Sequence, residues 1–392
     1  MAFGGLKMKK SIPVIILTFL LIMFTSCGTS ETGKSYHGMN KETSLKDVEL
    51  PDKLSIEFET DDIRNIEEAK TYLADYMEFD KQKLVNSFMK NSITEEKILA
   101  EGPQVISSSG NVTEFLSIYD GGKSFGVETG MEGGFAYSKT VDDLWIKKWD
   151  TVASSSFLAP GFNEQYRLNS DYGSQIDLDF LPYEDALADI RKILKMAGIP
   201  AFDIDETYSL DLETILSHYR LYLENNMNEE ERKLTWTKDD ECYIFSLRQL
   251  VDNIPIVNKT WQMPDGTKAS VWGNPMPAAS IHLVYDKTGI CDIEAYNILR
   301  ITDEKEKNKL ISVYEALNTL IHDYSLTILE DEISIDSAEL CYLIIPKDNM
   351  AELVPGWVFR SAKTEKTDGG NYIQYKYDVV NAITGELYQD RW

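Results

Sequence analysis

Two stretches decide the fold: "YEDALADIRKILKMAG", Tyr183 to Gly198, and "KLISVYEALNTLIHDY", Lys309 to Tyr324. In the first, Leu187, Ile190, Leu194 and Ala197 recur on one helical face, and Gly198 with Pro200 ends the run. In the second, Leu310, Val313, Leu317, Ile321 and Tyr324 do the same. Each helix carries a Tyr-Glu step, Tyr183-Glu184 and Tyr314-Glu315, followed closely by Ala-Leu. Each is followed by a β-type run with a Cys-Tyr pair, "ECYIFSL" at Cys242-Tyr243 and "LCYLIIP" at Cys341-Tyr342. An apolar-Pro step comes next, Ile254-Pro255 and Val354-Pro355, 13 and 14 residues after the cysteines. Last come alternating strands with a Thr-Gly turn, "IHLVYDKTGICDIEAY" and "YKYDVVNAITGELYQ", turning at Gly289 and Gly385.

Matched landmarks in one order predict a degenerate repeat. The first copy carries an insertion, "DLETILSHYRLYLENNMNEEERKL", read as a further helix. A third, fainter copy is read at the front. There "NIEEAKTYLADYM" opens on the capping-box pair Asn65 and Glu68 and keeps helical spacing at Ile66, Ala69, Leu73 and Met77. "EFLSIYDGGKSFGVETG" follows as a hairpin turning at Asp120-Gly121-Gly122. Turn formers between Leu158 and Ser174 suggest a boundary. The expected class is α+β: tandem repeats of a helix packed on a small antiparallel sheet. The expected units are 51–157, 175–300 and 301–392.

The C-terminal "YDVVNAITGELYQ", with Asn381-Ala382, Thr384 and Gly385, closely resembles the last hairpin of PepSY-like modules, and "VPGWVF" resembles the strand before it. That resemblance covers residues 180–392 and implies tandem helix-on-sheet units with Trp357 in a core. It transfers no function.

"MKKSIPVIILTFLLIMFTSC" has the parts of a secretory signal: Lys9 and Lys10, an apolar stretch of thirteen residues from Ile12 to Phe24, then small Thr25 and Ser26. The stretch is shorter than the roughly 20 residues of a membrane-spanning helix. Either Met1 or Met8 serves as the start. Phe24-Thr25-Ser26-Cys27 resembles the lipobox of bacterial lipoproteins, although that family usually has leucine where Phe24 stands. The resemblance implies a cleaved signal peptide, 1–26, and a lipid on the Cys27 thiol (diacylglycerol and palmitate) that holds the mature chain to the cell membrane on its extracytoplasmic side. One acyl chain anchors only marginally and two or three anchor stably. The other reading is a signal anchor with an incidental cysteine. Residues 27–50 are Gly, Ser, Thr, Lys and Glu with little apolar pattern, a flexible tether reaching about 25–30 Å. The whole layout is similar to uncharacterised lipoproteins of low-GC Gram-positive bacteria, and to extracytoplasmic regulators of a cell-wall sensor kinase.

The chain carries 39 Lys and Arg against 65 Asp and Glu, a net charge of −26, which becomes −29 without Lys7, Lys9 and Lys10 of the leader. Such a body repels phosphate backbones, which excludes nucleic acid as an expected partner. With Cys27 used by the lipid, Cys242, Cys291 and Cys341 remain, and they read as buried thiols. His37, His218, His282 and His322 are scattered without ligand spacing, and read as surface or partly packed side chains. "DLDFLPYED" and "DIDETYSLDLE" look like cation loops, but neither has the EF-hand order, so they read as solvated loop acids, with a loose calcium site at Asp203, Asp205 and Glu206 as the alternative. Trp145 and Trp149 in "DDLWIKKWD" share a helical face, suited to packing or to a protein or carbohydrate contact.

There is no HExxH, GxSxG, GxGxxG or P-loop motif. No catalytic residue, metal ligand or cofactor site is expected. The sequence therefore points to a membrane-tethered, non-catalytic binding or regulatory module acting on an envelope protein partner. The alternative is an envelope hydrolase acting on glycan or peptide through carboxylates that no motif singles out.

Overall fold

The computed structural model describes residues 49–60, 63–64, 66–88, 93–107, 110–119, 123–129, 133–138, 173–225, 235–259, 261, 277–347, 350–367 and 370–388. These residues form fifteen strands and four α-helices. The expected tandem of helices on small sheets is not what they build. Two large sheets run through the body instead, one of six strands and one of nine.

The nine-stranded sheet gathers β3 (Ile93–Ser107), β4 (Gly110–Tyr119), β5 (Lys123–Thr129), β6 (Phe135–Ser138), β7 (Phe202–Leu210), β8 (Cys242–Val251), β9 (Ile254–Pro255), β10 (Ser280–Asp286) and β11 (Gly289–Tyr296) in the order β3-β4-β5-β6-β11-β10-β8-β7, with β9 on β8. The six-stranded sheet gathers β1 (Leu54–Ile56), β2 (Glu68–Tyr76), β12 (Leu299–Lys309), β13 (Ile333–Lys347), β14 (Met350–Thr367) and β15 (Gly370–Asn381). Its order is β1-β13-β14-β2-β12, with β15 also on β14. Strands from the front of the chain thus enter both sheets. All described ladders are antiparallel except β1 on β13 and a single bridge between Ile256 and Tyr342.

The helices are α1 (Lys81–Phe88), α2 (Tyr183–Ala197), α3 (Leu212–Asn225) and α4 (Val313–Ser325). The two deciding stretches are helical as their spacing predicts. Gly198 closes α2 in the left-handed conformation, φ 88°, and passes its N–H to the Lys195 carbonyl. Ser312 and Glu315 form a reciprocal capping box on α4. Helix α2 lays Ala186, Ile190 and Leu194 on Tyr243, Phe245, Leu247, Ile281 and Leu283 of the nine-stranded sheet. On the opposite face Leu210 and Ile215 cover Cys242, Ile244, Val284 and Cys291. Helix α4 serves the six-stranded sheet: Tyr324 donates to Asp378 Oδ2 at 2.9 Å, and the Trp357 indole, fully buried, donates to the Ile311 carbonyl at 3.0 Å. That sheet's other face packs Val257, Trp261, Cys341, Leu343, Val358, Tyr377 and Val379.

The repeat expectation fails for a topological reason. In the first copy β10 pairs directly with β8, the Cys-Tyr strand. In the second, β13 pairs with β14, and β15 lies one strand further out. Similar landmarks therefore occupy different ladder positions. The stretch "NIEEAKTYLADYM" is also corrected. It supplies strand β2, not a helix, because β12 and β14 flank it and Tyr72 and Ala74 point into the core at period two. The boundary between Leu158 and residue 172, the Asp120-Gly121-Gly122 turn, Trp145 and Trp149 lie outside the described residues.

The sheets exchange chain at one corner. Asn297, at φ 54°, and Ile298 carry β11 of one sheet into β12 of the other. Ile298 donates its N–H to the Gly133 carbonyl at 2.8 Å and accepts from Met77 N at 2.9 Å. A Cβ on Gly133, itself at φ +62°, would lie 2.6 Å from the Ile298 backbone nitrogen and oxygen. Gly133→Ala is therefore expected to cost about 2–3 kcal/mol, read as a lowered denaturant midpoint, because neither the backbone angle nor the corner can yield.

Candidate functional site: a buried ion cluster at the seam of the sheets

Strand β7 brings two acids to the seam. Asp203 sits opposite Arg248 in the β7–β8 ladder, and a register shift between Ile204 and Glu206 accommodates Asp205 on the way. Asp205 accepts from Asn258 Nδ2 and from Lys259 Nζ, both at 2.9 Å, and lies 3.7 Å from Arg248 Nη1. Arg248 also reaches across to β13, where it grips Glu339 with two hydrogen bonds of 2.5 and 2.7 Å. The geometry is a fork on a carboxylate, the strongest form of this pairing. Nearby, the Gln249 amide donates to the Leu299 carbonyl at 2.6 Å and accepts from Leu299 N–H at 2.9 Å. Val257 N–H donates to the Tyr342 carbonyl at 2.9 Å. One charged fork and two backbone staples thus tie β8 and its following segment to the six-stranded sheet.

Burial by itself would push the Asp205 carboxyl up. The charges of Lys259 and Arg248, with the Asn258 amide, outweigh it and hold the group below the ordinary carboxylate range. Burial also dominates at His282 on β10, helped by the Lys259 charge and opposed by Asp205, and it lowers the imidazole to about 4. His282 lies directly opposite Ser246. Both are buried, and neither His282 Nδ1 nor Ser246 Oγ has a hydrogen-bond partner. The Arg248 Nε is likewise unsatisfied. Cys341, two residues from Glu339 on the same face, has its thiol pushed up by burial and then by the Glu339 charge.

This corrects two readings of the sequence. The acids in "DIDETYSLDLE" are not all solvated loop acids: Asp203 and Asp205 serve Arg248 and Lys259 from a strand, and Glu206 accepts from Tyr208 at 2.9 Å. Among the described residues no group of three or more His, Cys, Asp or Glu could hold a metal ion. His282 is buried, because the segment carrying Asn258 and Lys259 packs where alternation alone predicts solvent. His322 is exposed on α4, and His37 lies outside the described residues, as does Cys27. Cys242, Cys291 and Cys341 are buried thiols in no disulfide, as expected. Reading the sequence missed Arg248, Lys259 and Glu339. The available signal was a single charge inside an apolar run, "CYIFSLRQLV" and "AELCYLIIP", which a buried strand tolerates only when the charge is paired.

A second polar feature lies where α2 and α3 begin. A cleft of about 420 Å³ is lined by Asp177, Asp179, Asp211, Glu213 and Glu241, with Lys238 as its one cation among the described residues. Leu178, Leu212 and Leu216 supply apolar surface. Three of these acids also hold backbone. Asp177 accepts from Tyr183 N at 2.9 Å, Asp211 from Thr214 N at 2.8 Å and Glu241 from Leu212 N at 3.2 Å.

No protein-family model and no curated protein matches the sequence. Among solved structures the fold is similar to that of an uncharacterised protein from Eubacterium rectale ATCC 33656, with a TM-score of 0.56 and 16% identity over 87% of this chain and 92% of that one. The likeness shows a shared fold and nothing of function.

Proposed function

We propose that the protein is a lipid-anchored, extracytoplasmic binding or regulatory module that acts on an envelope protein partner. The observation that carries this reading is the leader ending in Phe24-Thr25-Ser26-Cys27, followed by a polar tether and an acidic body. At the seam, Asp205 does not supply the general acid that the hydrolase alternative needs. A general acid needs a raised pKa, whereas Asp205 is shifted downward by its cationic partners, and Arg248 is committed to Glu339.

Cys27→Ala is expected to abolish incorporation of labelled palmitate and to release the protein or stall its processing. A variant that stays membrane-bound with its leader removed sinks the anchor. The partner is tested by crosslinking in intact cells and recovering the full chain from membranes. Failure to recover any specific protein counts against the binding role.

A further inference from the structure

We infer that the end of the six-stranded sheet where the chain from the leader enters is a membrane-facing surface, and that its exposed aliphatic side chains insert into the lipid interface. The inference rests on the lipid-anchor reading above and adds which face of the body meets the bilayer.

Among the described residues eight large apolar side chains are exposed, and four of them, Leu50, Leu326, Ile328 and Ile373, gather at this one end. Ile328 is the extreme case, 95% exposed. Ladder register brings them together. Leu54 of β1 pairs with Ile333 of β13, and Ile333 with Lys363 of β14. The next rung of β14, Thr364, pairs with Ile373 of β15. Lys53 donates from Nζ to the Glu330 carbonyl and accepts from Ile333 N–H at 2.9 Å. The chain around Leu50 therefore lies against the loop 326–332, which carries Leu326 and Ile328 from α4 to β13. Aliphatic side chains gathered in water gain free energy only where something apolar meets them.

The occupant is a lipid surface because of where the tether ends. Glu49, the first described residue, stands one residue before Leu50. A tether of residues 27–50 has a reach of about 25–30 Å. A link of that kind gives effective concentrations of about a millimolar, enough for a contact too weak to hold a free protein. Charge decides the kind of contact. Glu330, Asp331 and Glu332 outnumber Lys53 and Lys363 here, and Lys363 is paired with Asp331 at 3.0 Å. These carboxylates repel anionic headgroups, so the contact is made through hydrocarbon.

The test uses the full-length, lipid-bearing protein in phosphatidylcholine vesicles that carry a nitroxide quencher high on the acyl chains. A fluorophore is attached through Thr327→Cys, between the two aliphatic residues, or through Met196→Cys, an exposed apolar position on the helix of the other sheet. Cys242, Cys291 and Cys341 are buried in the folded protein and stay unlabelled. The label at position 327 is expected to be quenched about twofold or more and the label at 196 by about a tenth at most, because inserted side chains reach only about 5–10 Å into the leaflet. Leu326→Ser with Ile328→Ser should reduce quenching at 327 to the level at 196 while the protein still sediments with the vesicles. Equal quenching at the two positions, or no loss in the double serine variant, overturns the inference. So does quenching that deepens when phosphatidylglycerol is added, which would mean headgroup binding. Sedimentation with position 327 unquenched sinks the face and leaves the anchor standing. If Cys27 carries no lipid, the vesicles are added to the Cys27→Ser chain labelled at 327: quenching keeps the face without the anchor, and none sinks both.

Discussion

Asp205→Ala is expected to destabilise the protein by about 3–5 kcal/mol, the cost of removing one partner from a buried ion cluster. The variant strands Lys259, which is 15% exposed, beside a histidine that cannot share its charge. It also frees the Asn258 amide, which is buried and loses its 2.9 Å acceptor. Arg248 keeps Glu339, so the damage concentrates on the segment after β9. Glu339→Ala is the instructive comparison. Its carboxylate is 47% exposed, water screens much of the pairing, and a loss of about 1 kcal/mol is expected despite the shorter hydrogen bonds. Chemical denaturation of the two variants at pH 7 measures both. Equal losses would mean that the seam depends on the fork across the sheets as much as on the buried acid.

The second large effect is a dependence on pH that a single side chain sets. An ordinary histidine titrates near 6.5, and His282 is lowered to about 4 by burial first and Lys259 second. Between those values the unfolded chain takes up a proton that the folded chain refuses. Stability is therefore full above about pH 6.5 and falls as the pH drops toward 4, by about 3 kcal/mol in total. Asp205 acts in a lower window. Its depressed pKa adds stability that is present above about 3.8 and lost as the pH falls further. His282→Gln separates the two: the slope of unfolding free energy between pH 6.5 and 4 should flatten, while the loss below pH 4 remains. An unchanged slope would assign the upper window to another group.

The contrast between sequence and structure is clearest at β2 and at the seam. Helices α2 and α4 were legible because their signals are local: an apolar stripe within sixteen residues and a glycine stop at Gly198. The hairpin of β10 and β11 was legible in the same way from Thr288-Gly289. Strand β2 was not, since Ile66, Ala69, Leu73 and Met77 fit a helix, and only its flanks β12 and β14, more than 200 residues further on, make it a strand. Its long-range pairing overrides local spacing. The seam has the same character. Asp205 is conspicuous among the acids, but Arg248 and Glu339 stand 43 and 134 residues after it. No spacing rule joins positions that only sheet topology brings together.

The corner at Asn297-Ile298 has a consequence for the order in which the body can assemble. Because it hands the chain from the nine-stranded sheet, β3 to β11, back to the six-stranded one, the six-stranded sheet is not complete until both ends of the chain are present. Leu54 waits for Ile333 and Tyr72 for Leu353, separations that place this body among slow folders governed by chain closure. A chain emerging N-terminus first therefore has β2 without a neighbour until β12 is made, and β1 without one until β13 is made. The last strands to arrive are those that close the first, an order that suits the passage across a membrane as an open thread that the proposed leader implies.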